Sequence, residues 1–188
     1  MRACVSALTL LIAATVALPA AAQEGLKPRS THEGFWVGFG LGGGLNLSDA
    51  ARGNRFGGGG QVALGGTLNQ KLLLGGELIG WGRTVSGSTV TQSNAMAVAL
   101  LYPTGTGAFL KGGIGFAGWT QSASSGNTTV STTAGGFGLG AGLGYDLQIG
   151  SNLYLTPAVE LLFQSVESNV FVNSTASLLM FTLGLTWH

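Results

Sequence analysis

Residues 136–146 read GFGLGAGLGYD, and residues 179–188 read LMFTLGLTWH. In the first stretch Phe137, Leu139, Leu143 and Tyr145 share one parity, while Gly136, Gly138, Gly140, Gly142, Gly144 and Asp146 share the other. In the second, Leu179, Phe181, Leu183, Leu185 and Trp187 alternate with Met180, Thr182, Gly184, Thr186 and His188. A period of two is the signature of a β-strand, whose successive side chains point to opposite faces. One face here is large and apolar, and the other is small or polar.

The same alternation recurs upstream. Phe35, Val37, Phe39 and Leu41 oppose Trp36, Gly38, Gly40 and Gly42; Val62, Leu64 and Leu68 oppose Gln61, Ala63, Gly65 and Thr67. Leu72, Leu74 and Leu78 oppose Glu77, Ile79, Trp81 and Arg83, and Met96, Val98, Leu100 and Tyr102 oppose Ala95, Ala97 and Ala99. Leu110, Ile114 and Phe116 oppose Phe109, Lys111, Gly113, Gly115 and Trp119; Leu153, Leu155, Val159, Leu161 and Phe163 oppose Tyr154, Thr156, Ala158, Glu160 and Gln164. Eight strands result. Their connections alternate between short turns (69–71, 103–107, 148–152) and longer Ser/Thr/Asn/Gly-rich loops (49–56, 85–92, 121–132, 167–174).

Composition narrows the setting. Of 188 residues 34 are Gly, 45% are hydrophobic and only 8% are charged, with a formal net charge of +1. Charge-driven disorder and a basic nucleic-acid patch are both excluded. Four prolines and no Gly-X-Y repeat exclude collagen. Arg2, an apolar run from Leu8 to Leu18, and Pro19-Ala20-Ala21-Ala22 form a secretory signal peptide, expected to be cut after Ala22. The expected organisation is thus a signal peptide at 1–22, a periplasmic linker at 23–33 and one barrel domain at 34–188. Removing 22 of the 188 residues leaves 166, without the one cysteine, Cys4.

Strands of about ten residues, short turns at one end and longer loops at the other fit an all-β, eight-stranded, antiparallel, up-and-down transmembrane β-barrel. The strand charges Glu77, Arg83, Lys111, Asp146 and Glu160 all oppose the aliphatic face. A Lys or Arg facing lipid at mid-depth costs about 2–4 kcal/mol, so the aliphatic face is expected to look outward. Phe35, Tyr102, Tyr145 and Trp187 then form an aromatic girdle at the rim carrying the short turns and both termini. Glu77, Arg83, Lys111 and Glu160 are expected to meet in a polar network inside the barrel, where mutual pairing lowers the cost of burial. Two features test the strand assignment: Pro157 removes a ladder donor unless a bulge accommodates it, and a one-residue slip of the third strand would turn Glu77 and Arg83 into lipid.

Signal peptide, eight alternating strands and the closing Leu179–Trp187 pattern together resemble the small outer-membrane β-barrel family of the OmpA and OmpX type, over essentially the whole processed chain. The resemblance implies residence in the bacterial outer membrane with periplasmic termini, contact with membrane lipid and lipopolysaccharide, and insertion by the barrel-assembly machinery. In that family the last strand normally ends in an aromatic residue; here Trp187 is followed by His188.

Function is expected to be structural or surface-interacting, in adhesion or envelope integrity, by a monomer without cofactor or nucleic acid. The alternatives are a narrow channel or small-solute conduit and an outer-membrane hydrolase. An eight-stranded barrel is just wide enough to be filled by side chains. No catalytic residue is assigned, because His32 and His188 lie away from the outer loops, and two histidines without a clustered carboxylate make no metal site. Gly38, Gly40 and Gly43 match a nucleotide-loop spacing but lack the helix that motif requires. Asp49, Arg52 and Arg55 make the first loop the charged one, a candidate for touching lipopolysaccharide.

Overall fold

A computed structural model of the chain describes residues 32–48, 55–125, 128–167 and 174–188. The signal segment, Asp49, Arg52, Asn127 and Asn173 lie outside the described residues. The strands are β1 (Phe35–Asn46), β2 (Phe56–Asn69), β3 (Leu72–Val85), β4 (Ser88–Leu101), β5 (Ala108–Ser125), β6 (Thr128–Tyr145), β7 (Leu147–Gln148), β8 (Leu153–Glu167) and β9 (Ser174–Trp187). Sequence neighbours pair antiparallel except β6 with β7, and β1 pairs with β9 and β6 with β8, so the sheet closes on itself. β6 and β7 are one stave interrupted at Asp146, giving a closed eight-stranded barrel.

The outward belt is apolar: Leu41 is 77% exposed, Phe116 79%, Leu78 64% and Leu183 56%. In water such a belt is untenable; in hydrocarbon it is the required solvent-facing surface. Strand three keeps the expected register, with Glu77, Ile79 and Trp81 buried and Leu74 and Leu78 outward. Pro157 needs no bulge. It pairs with Leu183 on β9, while on its other side it falls opposite the interruption at Tyr145–Asp146, between the pairs Gly144↔Ala158 and Leu147↔Leu155.

Strand four reverses its expected orientation. Met96, Val98 and Leu100 are 3–7% exposed and line the lumen, whereas Ala95 and Ala97 face outward. The amides decide this, because Gln92 and Asn94 share the parity of Met96 and are buried with it. An unpaired amide in hydrocarbon costs several kcal/mol, whereas lipid tails and an apolar lumen wall are nearly equivalent surroundings for an aliphatic side chain. Inside, Asn94 accepts a hydrogen bond from Gln164 Nε2 at 3.2 Å.

Two stretches expected as loops are strand. β3 and β4 are joined by Ser86 (φ 48°) and Gly87 (φ 78°), both left-handed, as a two-residue type I′ hairpin requires. β5 and β6 run on through Ser125 and from Thr128. At 18 residues each, they exceed by about eight the ten or so that span a bilayer.

The lumen is packed by pairing large with absent side chains. Trp81 lies over Gly44 and Gly57, which are partners across β1 and β2, and its Nε1 donates to the Gly44 carbonyl at 3.0 Å. A Cβ on Gly57 would sit 2.5 Å from Trp81 Cε2; one on Gly44 would sit 2.9 Å from Trp81 Cδ1. Gly44→Ala and Gly57→Ala are each expected to lower stability by about 1–3 kcal/mol through overpacking. Gly58→Ala, whose Cβ meets nothing within 4 Å, should leave the urea midpoint of the detergent-solubilised barrel unchanged.

Candidate functional site

Two side-chain assemblies fill the lumen. The first is ionic. Lys111 on β5 lies opposite Gly142 on β6, which lies opposite Glu160 on β8. The glycine keeps the space between the two clear, and Lys111 Nζ pairs with Glu160 Oε2. On the other side Lys111 Nζ donates to Glu77 Oε1 at 2.6 Å, reaching past β4 to β3. Side-chain exposure is 6% or less for all three.

Arg83 does not join them. It lies on the same face of β3 as Glu77 but six positions closer to the β3–β4 hairpin, about 20 Å along the strand at 3.3 Å per residue. It is half-buried and forms no ion pair among the described residues. Facing inward is a matter of parity, but meeting depends on height along the stave, and Arg83 is at the wrong height.

The second assembly closes the end that carries the short turns. Tyr102, expected in the outward girdle, is fully buried there, because β4 presents its even-numbered residues to the lumen. Phe35 (53% exposed) and Trp187 (46%) do face outward, and Tyr145 is half-buried at the same rim. Tyr102 donates to Asp146 Oδ2 at 2.7 Å, and Thr156 donates to Asp146 Oδ1 at 2.6 Å. Burial foremost, then the Asp146 carboxylate, pushes the Tyr102 phenol well above its ordinary range.

Both histidines belong to this assembly and are buried. Gly34 (φ 79°) turns the chain ahead of β1, and His32 is then clamped to the β2–β3 turn. Its backbone N–H donates to Gln70 Oε1 at 2.9 Å, its Nδ1 bonds the Gln70 carbonyl at 3.2 Å, and Gln70 Nε2 donates back to the His32 carbonyl at 3.2 Å. His188 Nε2 lies 3.4 Å from Asp146 Oδ2. The His32 ring stands 4.3 Å from Tyr102 and 4.6 Å from His188, and Tyr154 meets His188 edge-on at 5.0 Å. Burial, followed by the neighbouring His188, lowers the His32 pKa and favours the neutral ring. Alternation places single residues on faces; it carries no sign that His32 and His188 gather near a carboxylate 42 positions from His188.

Between the two assemblies lies a cavity of about 40 Å³, lined by Trp36, Gln61, Val98, Phe109 and the polar groups at either end. That is room for a few waters.

The sequence profile described as outer membrane protein beta-barrel domain matches residues 8–184. The chain belongs to that family. Its setting is accordingly the bacterial outer membrane. Among solved structures, Ail, the attachment invasion locus protein of Yersinia pestis, is 14% identical, with 82% of this chain and 98% of that chain covered at a TM-score of 0.62. Neisserial surface protein A is 16% identical, covering 82% and 97% at 0.59. A major outer membrane protein of Thermus thermophilus is 14% identical, covering 82% and 98% at 0.54. At these identities the likeness is one of fold. No curated protein matches the sequence.

Removing the cation from the ionic assembly leaves two buried carboxylates without it. Lys111→Met is therefore expected to lower stability by about 3–5 kcal/mol, whereas Arg83→Met should stay within about 0.5 kcal/mol. Urea unfolding followed by tryptophan fluorescence separates the two.

Proposed function

We propose that this family member is a closed, monomeric outer-membrane barrel with a structural and surface-interaction role, in adhesion or envelope integrity, and that it carries out no catalysis. The observation that carries the reading is the lumen itself, blocked at mid-height by Lys111 with its two glutamates and at the turn end by Tyr102, His32 and His188. Such an interior supports a scaffold better than a conduit. Both histidines sit at the turn end, so neither is available as a general base among the outer loops. In this reading residues 1–22 are cleaved as a signal, the termini and short turns face the periplasm, and the barrel-assembly machinery inserts the chain.

The surface that would meet a partner is the β5–β6 ribbon. Beyond the lipid band it is Ser/Thr-rich and uncharged from Thr120 to Thr133, with Ser122 and Ser131 hydroxyls 2.8 Å apart. An uncharged hydroxyl face engages its target by hydrogen bonds rather than by charge steering. Ail, similar in fold, is an attachment invasion protein also solved with the heparin analogue sucrose octasulfate, which supports the surface-contact reading by analogy.

Replacing residues 121–132 by Asn-Gly joins Thr120 to its partner Thr133 in register and removes the ribbon. Cells displaying this variant are expected to retain the heat-modifiable folded band and detergent resistance but to lose several-fold in adherence to immobilised glycans and matrix proteins. In planar bilayers the intact barrel should give no sustained conductance steps. Unchanged adherence together with regular conductance steps would overturn the proposal in favour of a conduit.

A further inference from the structure

The structure assigns a divalent transition-metal site, of the zinc class, to His32, Asp146 and His188 at the turn end of the barrel. One ring nitrogen from each histidine and one carboxylate oxygen lie within 4.8 Å of one another, and all three residues are buried. Donors around a four-coordinate zinc ion at about 2.0–2.2 Å stand roughly 3.3 Å apart. The 3.4 Å from His188 Nε2 to Asp146 Oδ2 already meets that spacing. Closing the other two edges, both from His32, requires at most about 1.5 Å of movement each, from 4.8 Å, within reach of side-chain rotation.

An independent observation points to a missing ligand. His32 Nε2 is a buried side-chain nitrogen with no hydrogen-bond partner among the described residues. A buried polar atom left unsatisfied costs about 1–3 kcal/mol, and native structures seldom tolerate one without an ion or other partner. Because the Gln70 carbonyl can only accept, the His32 Nδ1 that bonds it carries the proton, and Nε2 is left with a free lone pair. That is the tautomer a metal ligand needs, fixed from outside by a backbone acceptor as is usual for metal-binding histidine. Asp146 is likewise oriented, by Tyr102 on one oxygen and Thr156 on the other. Two imidazoles and one carboxylate suit zinc, copper or nickel and not magnesium or calcium, which prefer all-oxygen sites. Three protein donors leave a fourth position open to water.

The ligands join three parts of the chain: the segment before β1, the break between β6 and β7, and the residue after β9. A bound ion would thus tie the first and last staves to the β6–β7 stave and stabilise the folded barrel by linkage.

The test uses the processed barrel, free of any histidine tag and stripped with chelator, in detergent micelles. Equilibrium dialysis against zinc chloride is expected to give one ion per barrel, with magnesium chloride giving none. His32→Gln, His188→Gln and Asp146→Asn, each checked for folding by heat-modifiable mobility, should lose at least tenfold in affinity. Tyr102→Phe, which keeps all three ligands but releases Oδ2 of Asp146, should lose about 10- to 100-fold. Should any variant fail to fold, the wild-type barrel decides alone. Zinc is expected to shift the ring-nitrogen NMR signals of both histidines and to raise the unfolding midpoint. Histidine signals unmoved by zinc, or zinc binding that survives substitution of all three ligands, would overturn the assignment.

Discussion

A strand that crosses hydrocarbon has nowhere to leave a backbone N–H or C=O unpaired, since no water is present to take it up. Here that constraint is met by closure: β1 pairs with β9 and β6 pairs with β8, so no edge faces lipid. Closure at eight staves then fixes the diameter, and the diameter fixes what the interior can hold. The abundance of inward glycine follows from this, because a narrow cylinder that contains Trp36, Trp81, Phe109 and Tyr154 has little room beside them. Gly57 under Trp81 and Gly144 beside Phe109 show the requirement directly, since a Cβ there would stand 2.5 Å and 2.4 Å from the ring.

With both lipid and lumen apolar in part, the hydrophobic effect alone does not decide which way a strand faces. Polar groups decide it. Glu77, Lys111 and Glu160 orient β3, β5 and β8, and the amides of Gln92 and Asn94 orient β4. The aliphatic residues of β4 follow inward without loss, because Met96, Val98 and Leu100 meet other apolar side chains there. Three alanines are left to face lipid, which makes that part of the outer surface thin but not unfavourable.

This explains why some of the architecture was legible in the sequence and some was not. Seven staves could be read because their charged, polar or glycine parity opposed a heavier aliphatic one, as in residues 136–146 and 179–188. On β4 the alanine parity is lighter than the Met-Val-Leu parity, so side-chain size points the wrong way there; Gln92 and Asn94 carry the signal that corrects it. The error carried Tyr102 into the girdle, when it belongs to the interior. The ionic assembly was legible in part: Glu77, Lys111 and Glu160 meet, but alternation gives the face of Arg83 and not its height. The turn-end cluster was invisible, since His32, Asp146 and His188 come together only through closure of the barrel and the turn at Gly34.

Asp146 and Pro157 show how one irregularity supports another. A proline inside a closed ladder is tolerated where its side of the partner strand makes no bond. The β6–β7 interruption supplies that place without inserting a residue, because the pairs Gly144↔Ala158 and Leu147↔Leu155 keep a common register. Released from the ladder, Asp146 gives its N–H to the Gly107 carbonyl at 3.0 Å and turns its carboxylate to Tyr102, Thr156 and His188. The neighbouring turns complete the arrangement with backbone acceptors: Lys71 for Tyr102, Gln70 for His32 and Asn152 for His188. Short connections hold such carbonyls at fixed positions around the rim. At the opposite end the paired β5 and β6 instead run on as a ribbon past the lipid band.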